Sequence, residues 1–107
     1  MKSSITILIC YRNEEKNIVL TGSAIIKALK KNSIKYKIIF FNDGSTDDSE
    51  KIVKKKFSKN CYFYSNKLPK GTRYMYKKVV KSVKSDYFSI MSGNNNFKTG
   101  DYNKLFS

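Results

Sequence analysis

The sequence predicts an α/β fold: a three-layer sandwich in which helices cover both faces of a mostly parallel four-stranded sheet. Short apolar, β-branched runs alternate with amphipathic stretches in the order β-α-β-α-β-α-β. Parallel strands joined through helices need right-handed crossovers, and these place the helices against the sheet. Neither a linker nor an internal repeat divides the 107 residues, so we expect a single domain over residues 1–107.

The first strand and helix are the most clearly marked. Residues 5–10, ITILIC, form an apolar run typical of a buried strand. Residues 13–31 predict a helix with Asn13 as the N-cap and Glu14 and Glu15 in the first turn, where the helix dipole favours anions. Its expected apolar face consists of Ile18, Gly22, Ile25, Ile26 and Leu29.

The remaining elements show the same two patterns, short apolar runs for strands and a 3–4 spacing of apolar residues for helices. Strands are predicted at 36–41, 61–65 and 86–91, and helices at 49–57 and 72–84, with a further helix beginning at 99–106. The expected apolar positions are Ile52, Val53 and Phe57 in the second helix, and Tyr76, Val79, Val80 and Val83 in the third.

The composition limits the classes of function. The net charge is +14, which commonly indicates a polyanionic partner, but only Arg12 and Arg73 are arginines. Lys, Asn and Ile are abundant together, as an AT-rich genome would produce, and most aromatic residues are expected in strand cores or on helix stripes. We therefore rank nucleic acid last among the partners considered.

The cysteines and the missing histidines exclude further classes. There is no histidine, and Cys10 and Cys61 lack metal-site spacing, so structural zinc and histidine-dependent catalysis are not expected. Free thiols indicate a reducing compartment, and the first apolar run is too short for a signal peptide. We expect a cytoplasmic location, either free in the cytoplasm or at the inner face of a membrane.

Polar segments follow three of the predicted strands. In a sheet of order 3-2-1-4, the ligand crevice lies between the carboxyl ends of strands 1 and 4, with the end of strand 2 beside it. These ends carry residues 10–15, 42–45 and 92–96. The sequence therefore predicts a binding site at this edge of the sheet.

The segment after strand 2 has two interpretations. Asp43-Gly44 suits a tight turn, and Ser45 or Thr46 suits a helix cap, which would make the segment purely structural. Alternatively, Asp43 directs a carboxylate into the crevice, where it could accept a hydrogen bond from the ring N–H of uracil or guanine. A Walker phosphate loop and a GxGxxG fingerprint are both absent from the sequence.

Three segments in this order and spacing carry a resemblance: ITILICYRNEEKNI, YKIIFFNDGSTDDSEKIV and KGTRYMYKKVVKSVKSDYF. Together they resemble the nucleotide-sugar-binding half of a family 2 glycosyltransferase, which has a Rossmann-like GT-A fold. The resemblance covers essentially the whole chain. It implies transfer of a sugar from a UDP-, GDP- or dTDP-sugar donor to a glycan or lipid-phosphate acceptor.

The resemblance also implies roles for individual residues. Asp43 would recognise the base edge, Gly44 and Ser45 would form the loop beneath it, and Arg73 would lie near the diphosphate. For Arg73 the alternative is a solvated charge at a helix start. The wall beside the base and ribose would consist of Cys10, Tyr11, Arg12, Asn13 and Glu14.

The family's metal motif has a neutral counterpart in this chain. Relatives hold Mg²⁺ or Mn²⁺ with a D-x-D motif after strand 4, and the resemblance implies such a cation here. Ser92-Gly93-Asn94 occupies that position, which makes Gly93 and Asn94 predicted donor-site residues and Asn94 the candidate metal ligand. The sequence departs from the family pattern further with Cys10 for proline, Arg12 for tyrosine and Asn42 for an acid.

Members of this family take the acceptor site and general base from a second half. The resemblance therefore implies that residues 1–107 form an incomplete domain, completed by further residues or a partner chain, with the general base outside it. Asp86 and Asp101 are assigned to a strand-start turn and a helix first turn. The alternatives are an inactive nucleotide-binding relic or regulatory module, and a basic nucleic-acid-binding domain.

Overall fold

The computed structural model describes residues 3–94 and contains seven elements in the predicted alternating order. They are β1 (Ser4–Tyr11), α1 (Ile18–Lys31), β2 (Lys35–Asp43), α2 (Ser49–Lys56), β3 (Cys61–Asn66), α3 (Thr72–Val80) and β4 (Tyr87–Ser92). The helix predicted at 99–106, together with Asn95, Asn96 and Asp101, lies outside the described residues.

The four strands form one parallel sheet of order β3-β2-β1-β4, which confirms the predicted topology. β1 pairs with β2 on one side and with β4 on the other, so the chain changes direction across the sheet at β1. At the carboxyl ends, Tyr11 pairs with Asn42 and Cys10 pairs with Ser92. The register therefore brings the ends of these three strands together.

Helices cover both faces of the sheet, as the sequence predicts. Alternate residues of the central strands face opposite layers: Ile7 and Phe40 belong to the core under α1 and α2, whereas Leu8 and Phe41 belong to the core under α3. The core under α1 and α2 is the larger, and it includes the parallel-stacked rings of Phe40 and Phe57, whose centroids are 4.8 Å apart. The fold is a Rossmann-like α/β sandwich.

The start of α1 differs from the prediction. The helix begins at Ile18 with Asn17 as its N-cap, so Asn13 is not the cap and no acidic residue lies in the first turn. Asn13 has a φ of 53°, in the left-handed region that asparagine tolerates, and the chain then makes a turn in which Asn17 N–H donates to the Glu14 carbonyl. The Asn13 side chain is engaged elsewhere, as described below.

The other two helices also begin or end differently. α2 begins at Ser49 with Asp48 as its N-cap, so neither Ser45 nor Thr46 caps it. α3 ends at Val80, because Ser82 donates both its N–H and its hydroxyl to the Val79 carbonyl and closes a turn there.

The buried face of α3 differs as well. It consists of Met75 and Val79, while Tyr76 is exposed and contacts the ring of Phe88 from the side. Both cysteines are free and buried. None of the helices in residues 3–94 combines the length and the apolarity needed to cross a membrane.

Candidate functional site

The candidate site lies at the edge where β1, β2 and β4 end. Three of its predicted residues, Asn13, Ser45 and Asp43, are brought to this edge by the register of β1 and β2. The Asn13 N–H donates to Ser45 Oγ at 2.9 Å, which joins the turn after β1 to the loop after β2.

The side chain of Asn13 strengthens this junction. Its Oδ1 accepts from Thr46 N–H at 2.7 Å and from Asp47 N–H at 3.2 Å. The side-chain amide of Asn13 thus accepts hydrogen bonds from two backbone N–H groups of the loop after β2. Asn13 therefore has a structural role at the site, with its side-chain oxygen bonded to the loop.

Glu14 and Glu15 continue the same junction through their backbones. The Glu14 N–H donates to Ser49 Oγ at 2.8 Å, and the Glu15 N–H donates to Asp47 Oδ2 at 3.2 Å. Burial opposes ionisation of Asp47, but the hydrogen bonds from Ser49 and Glu15 outweigh it and lower the pKa of this carboxyl. The turn after β1 is therefore fastened to the start of α2.

Asp43 is the best-connected residue of the site. Only 8% of it is exposed; Oδ1 accepts from Lys70 N–H at 2.8 Å and Asn66 Nδ2 at 3.1 Å, and Oδ2 accepts from Gly71 N–H at 3.0 Å. Burial raises the pKa of Asp43, whereas these hydrogen bonds and the nearby Arg12 guanidinium lower it, and the net direction is downward. The side chain is an ionised carboxylate.

This arrangement gives Asp43 a role that the sequence did not indicate. It anchors the loop between β3 and α3, because two consecutive N–H groups of that loop point at its carboxylate. A carboxylate offers about four acceptor positions, and the residues that the structure describes fill three of them. The turn-forming run Pro69-Lys70-Gly71 was the available sequence signal, since such turns leave backbone N–H groups unpaired.

Gly44 and the same loop are in close contact. Gly44 has a φ of +74°, and a Cβ at this position would lie 2.7 Å from Pro69 N and 2.9 Å from Leu68 C. Both atoms are backbone or held by backbone, so they cannot move aside easily. Glycine is therefore required both by the turn and by the approach of the loop.

Asn42 shows why an amide suits the position where relatives carry an acid. It is buried, its Oδ1 accepts from Ser45 N–H at 2.9 Å, and its Nδ2 donates to Glu50 Oε2 at 3.3 Å and Ser65 Oγ at 3.2 Å. A carboxylate could not donate to Glu50. The hydrogen bond from Ser65, together with those from Asn42 and the Lys54 charge, lowers the pKa of Glu50 despite its burial.

Cys10 and Tyr11 lie at the end of β1 with their side chains in opposite cores. Cys10 packs beneath α3, and Tyr11 packs beneath α1 and α2. Burial, with a contribution from Asp43, raises the pKa of Cys10 to about 12, and burial also raises the pKa of Tyr11, so both groups are neutral at pH 7. Arg12, the next residue along the chain, is exposed.

Gly93 fixes the end of β4 against β1 and α1. Its N–H donates to the Cys10 carbonyl at 2.9 Å, and its carbonyl accepts from Thr21 Oγ1 at 3.2 Å. A Cβ on Gly93 would lie 2.6 Å from Ile18 Cδ1 and 2.8 Å from Tyr11 Cβ. Close packing therefore explains why position 93 is a glycine.

Asn94 follows Gly93, and the Asn94 N–H is 3.4 Å from Ser92 Oγ.

The residues at the end of β4 do not fit a divalent cation. Ser92 and Asn94 offer a hydroxyl and an amide, which are neutral, whereas Mg²⁺ sites rely on one or two carboxylates. Within residues 3–94, no group of three or more His, Cys, Asp or Glu residues is arranged to hold a metal ion. The carboxylates of Asp43, Asp47 and Glu50 are already hydrogen-bonded by the protein.

Arg73 lies in the first turn of α3 and is exposed. The helix begins next to Gly71, whose carbonyl accepts from Met75 N–H at 3.3 Å and whose N–H donates to Asp43. The position of Arg73 along the chain is thus set by the loop that Asp43 anchors.

A comparison with known protein families identifies the family of this chain. The family model described as Glycosyl transferase family 2 matches residues 6–106, which is nearly the whole chain. No curated protein is a significant match. Family 2 enzymes typically use divalent cations, and the neutral end of β4 is where this chain differs. With a matching family model, a 3-2-1-4 parallel sheet and its polar strand ends, the chain belongs to glycosyl transferase family 2.

Proposed function

We propose that this domain binds the nucleotide part of a UDP-, GDP- or dTDP-sugar donor for transfer of the sugar to a glycan or lipid-phosphate acceptor. The observation that carries the proposal is the state of Asp43, an ionised carboxylate at the strand-end crevice whose Oδ2 accepts one hydrogen bond from the residues that the structure describes. A ring N–H of uracil, thymine or guanine is a neutral donor that suits this position.

Two arginines complete the proposed donor site. Arg12 is exposed and close enough to Asp43 to lower the pKa of that carboxyl, so its guanidinium can stack on a base bound there. Arg73, in the first turn of α3, is proposed to pair with the diphosphate. Gly44 and Ser45 form the floor beneath the nucleotide, next to the turn held by Asn13.

The general base and the acceptor site are proposed to come from a partner chain or from residues other than those that the structure describes. A general base works best with a pKa near the operating pH. Asp43, Asp47 and Glu50 all have lowered pKa values and are engaged in hydrogen bonds, so none of them is proposed for this role.

Calorimetric titration with UDP-, GDP- and dTDP-sugars, with and without Mn²⁺, tests the proposal. We expect saturable binding of one nucleotide class, weakened about tenfold in Asp43→Asn and Arg12→Gln, because each loses one charged contact of about 1.5 kcal/mol. Lys16→Gln removes one exposed charge from the same turn and serves as the matched control. Absence of binding at millimolar concentrations of all three donors would reject the proposal.

A second function is favoured by the neutral donor set of Ser92 and Asn94. In that case the domain binds nucleotides without turnover, as a relic or a regulatory module. It predicts an affinity that does not change when Mn²⁺ is added, since the end of β4 supplies no carboxylate. Mn²⁺-dependent binding by the unmodified chain would exclude this second function.

A further inference from the structure

Two clefts that share the lining residue Tyr64 lie on the face of the sheet that carries α3. One, of about 630 Å³, lies between the end of β3 and α3, and the other, of about 670 Å³, extends toward the starts of β1 and β2. We call the two clefts together the Tyr64 groove.

The charge of the Tyr64 groove is of a single sign. Six of its lining residues are lysines, and among the residues that the structure describes no Asp or Glu lines either cleft. Asp86 lies at one end, where it accepts hydrogen bonds from Ser4. A concave surface lined by ammonium groups attracts a polyanion. The lysines are Lys35, Lys37, Lys67, Lys70, Lys78 and Lys84.

Exposed tyrosine rings accompany these lysines. Tyr62 is 47% exposed, Tyr64 is 39% exposed and Tyr74 is 37% exposed, although the sequence predicted packed aromatic residues. Tyr62 and Tyr64 are two residues apart in β3, so they lie on the same face of the sheet and roughly 6.5 Å apart along the strand. Phe41 contacts the Tyr64 ring at 5.4 Å and supports it from below.

The lysines lie directly at the ring faces. Lys37 Nζ is 6.0 Å from the centroid of Tyr62, and Lys70 and Lys78 Nζ are 5.3 and 5.7 Å from the centroid of Tyr74. A ligand with a flat ring and a phosphate could therefore stack on the tyrosine and pair its phosphate with the adjacent ammonium. Sheet-borne aromatic rings that stack two or three bases are a known way of binding RNA.

We propose that the Tyr64 groove binds single-stranded nucleic acid without sequence preference. Lysine contacts phosphates as a point charge, and tyrosine stacks on any base, so neither selects a sequence. A bilayer would need a protruding apolar surface, whereas this surface is a cleft, and a neutral glycan would need acceptors for its hydroxyl groups. None of the predicted donor-site residues lines the groove, although its lining residues Asn66 and Lys70 donate hydrogen bonds to Asp43, so the two proposed sites are neighbours.

The chain contains an internal control for charge alone. A third cleft, of about 470 Å³, is also lined by four lysines, Lys27, Lys30, Lys56 and Lys59. Tyr36, which is half-buried, lines both this cleft and the Tyr64 groove, and the other aromatic residue of this cleft, Phe57, is buried. This cleft offers positive charge without an exposed ring.

Fluorescence anisotropy with a labelled fifteen-nucleotide oligo-dT tests the contribution of the rings. We expect the Tyr62→Ser/Tyr64→Ser variant to bind about tenfold or more weakly, because two stacking positions are lost. The Tyr62→Phe/Tyr64→Phe variant keeps the rings and should bind within about twofold of the unmodified chain. Circular dichroism of both variants separates loss of stacking from loss of fold. Equal affinity of the Ser variant and the unmodified chain would overturn the proposal.

A salt titration tests the contribution of the lysines. Replacing Lys37, Lys70 and Lys78 with Gln should reduce the slope of log affinity against log salt by about 2, since each phosphate contact on a single strand contributes about 0.7. The matched variant with Lys27, Lys30 and Lys56 replaced by Gln should keep the slope. Equal reductions in both variants would mean diffuse attraction to the +14 chain and would overturn the proposal.

Binding to vesicles containing 30% phosphatidylserine tests whether the partner is instead an anionic membrane surface. We expect weaker binding to vesicles than to the oligonucleotide, and no effect of the tyrosine substitutions on it. Vesicle binding that depends on Tyr62 and Tyr64, with no oligonucleotide binding, would overturn the proposal in favour of a membrane surface.

Discussion

The ends of β2 and β4 lie on either side of β1 at one edge of the sheet, but they are held in different ways. At β2, the ionised Asp43 is held by three hydrogen bonds to the loop before α3. At β4, Gly93 is held by packing against Ile18 and Tyr11, and the residues around it are neutral. The comparison teaches that the two strand ends are built independently, so one can hold an ionised carboxylate while the other is neutral.

The largest effect on the free energy of unfolding is expected from a substitution at Gly44, next to the end of β2. Gly44→Ala should lower the free energy of unfolding by about 3 kcal/mol, because it combines a strained positive φ with a Cβ 2.7 Å from Pro69 N. Urea unfolding followed by circular dichroism measures the change. Gly71→Ala is the control: Gly71 has a φ of 88° and a ψ of 162° but no atom within 4 Å of an added Cβ, so only the backbone strain, about 2 kcal/mol, should appear. Equal losses in the two variants would contradict the packing of the loop on Gly44.

The next effect tests the charge at the same end. Asp43→Asn should lower the free energy of unfolding at pH 7 by about 2 kcal/mol, because the backbone N–H groups lose an anionic acceptor. The folded-state pKa of Asp43 is lowered, so its contribution is complete above the unfolded pKa of about 3.9 and is lost as the pH falls through the folded pKa.

Urea unfolding from pH 7 down into the acid range checks this dependence. The difference between the unmodified chain and Asp43→Asn should shrink as the pH falls below about 4. Asp48→Asn, at an exposed position, is the control and should leave the stability nearly unchanged apart from its cap contribution. A difference that stays constant over the whole pH range would mean that the ionised carboxylate is not what anchors the loop.

A smaller effect tests the packing at the β4 end. Gly93→Ala should lower the free energy of unfolding by about 1.5 kcal/mol, since its Cβ would lie 2.6 Å from Ile18 Cδ1, a side-chain end, and 2.8 Å from Tyr11 Cβ, which is fixed to the backbone. Ile18→Val removes that methyl group, so the double variant should be less destabilised than the sum of the two single variants. Additive losses measured by urea unfolding would show that the two residues do not compete for the same space.

The smallest effect on stability, and the most informative on function, comes from Asn94→Asp. The change should alter the free energy of unfolding by less than about 0.5 kcal/mol, because Asn94 lies at a partly exposed turn. It should make nucleotide-sugar affinity rise about fivefold on addition of Mn²⁺, which corresponds to about 1 kcal/mol for one restored carboxylate contact. Asn94→Ala is the control. If the affinity of both variants is unchanged by Mn²⁺, this strand end is not part of a metal site.

The order and type of the elements were predictable because the apolar periods of this chain are regular. The run Ile5–Cys10 and the 3–4 spacing in Ile18–Leu29 each indicate one element, and the alternation of such elements indicates a parallel sheet. The start of α1 was not predictable, because the side chain of Asn13 bonds to Thr46 and Asp47, more than thirty residues away. A capping residue can be recognised locally only when its partners are local.

The packing of aromatic residues was predictable for phenylalanine and not for tyrosine. Phe40, Phe41 and Phe57 are buried, but Tyr62 and Tyr64 alternate with Cys61 and Phe63 and so face the layer that α3 covers only in part. Whether a strand residue is covered depends on the length of the helix above it. Here α3 ends at Val80, earlier than its sequence pattern indicates.

The sequence by itself determined the α/β class and the alternation of strands and helices, because these depend on chain order and on short-range periodicity. Given the order 3-2-1-4, it also predicted that three polar segments meet at one edge. It also determined that residues 92–94, at the end of β4, include no carboxylate. Only the tertiary structure decided what Asp43 does. Its hydrogen-bond donors come from Asn66, Lys70 and Gly71, far along the chain, and a buried carboxylate takes its role from whichever N–H groups the fold brings to it.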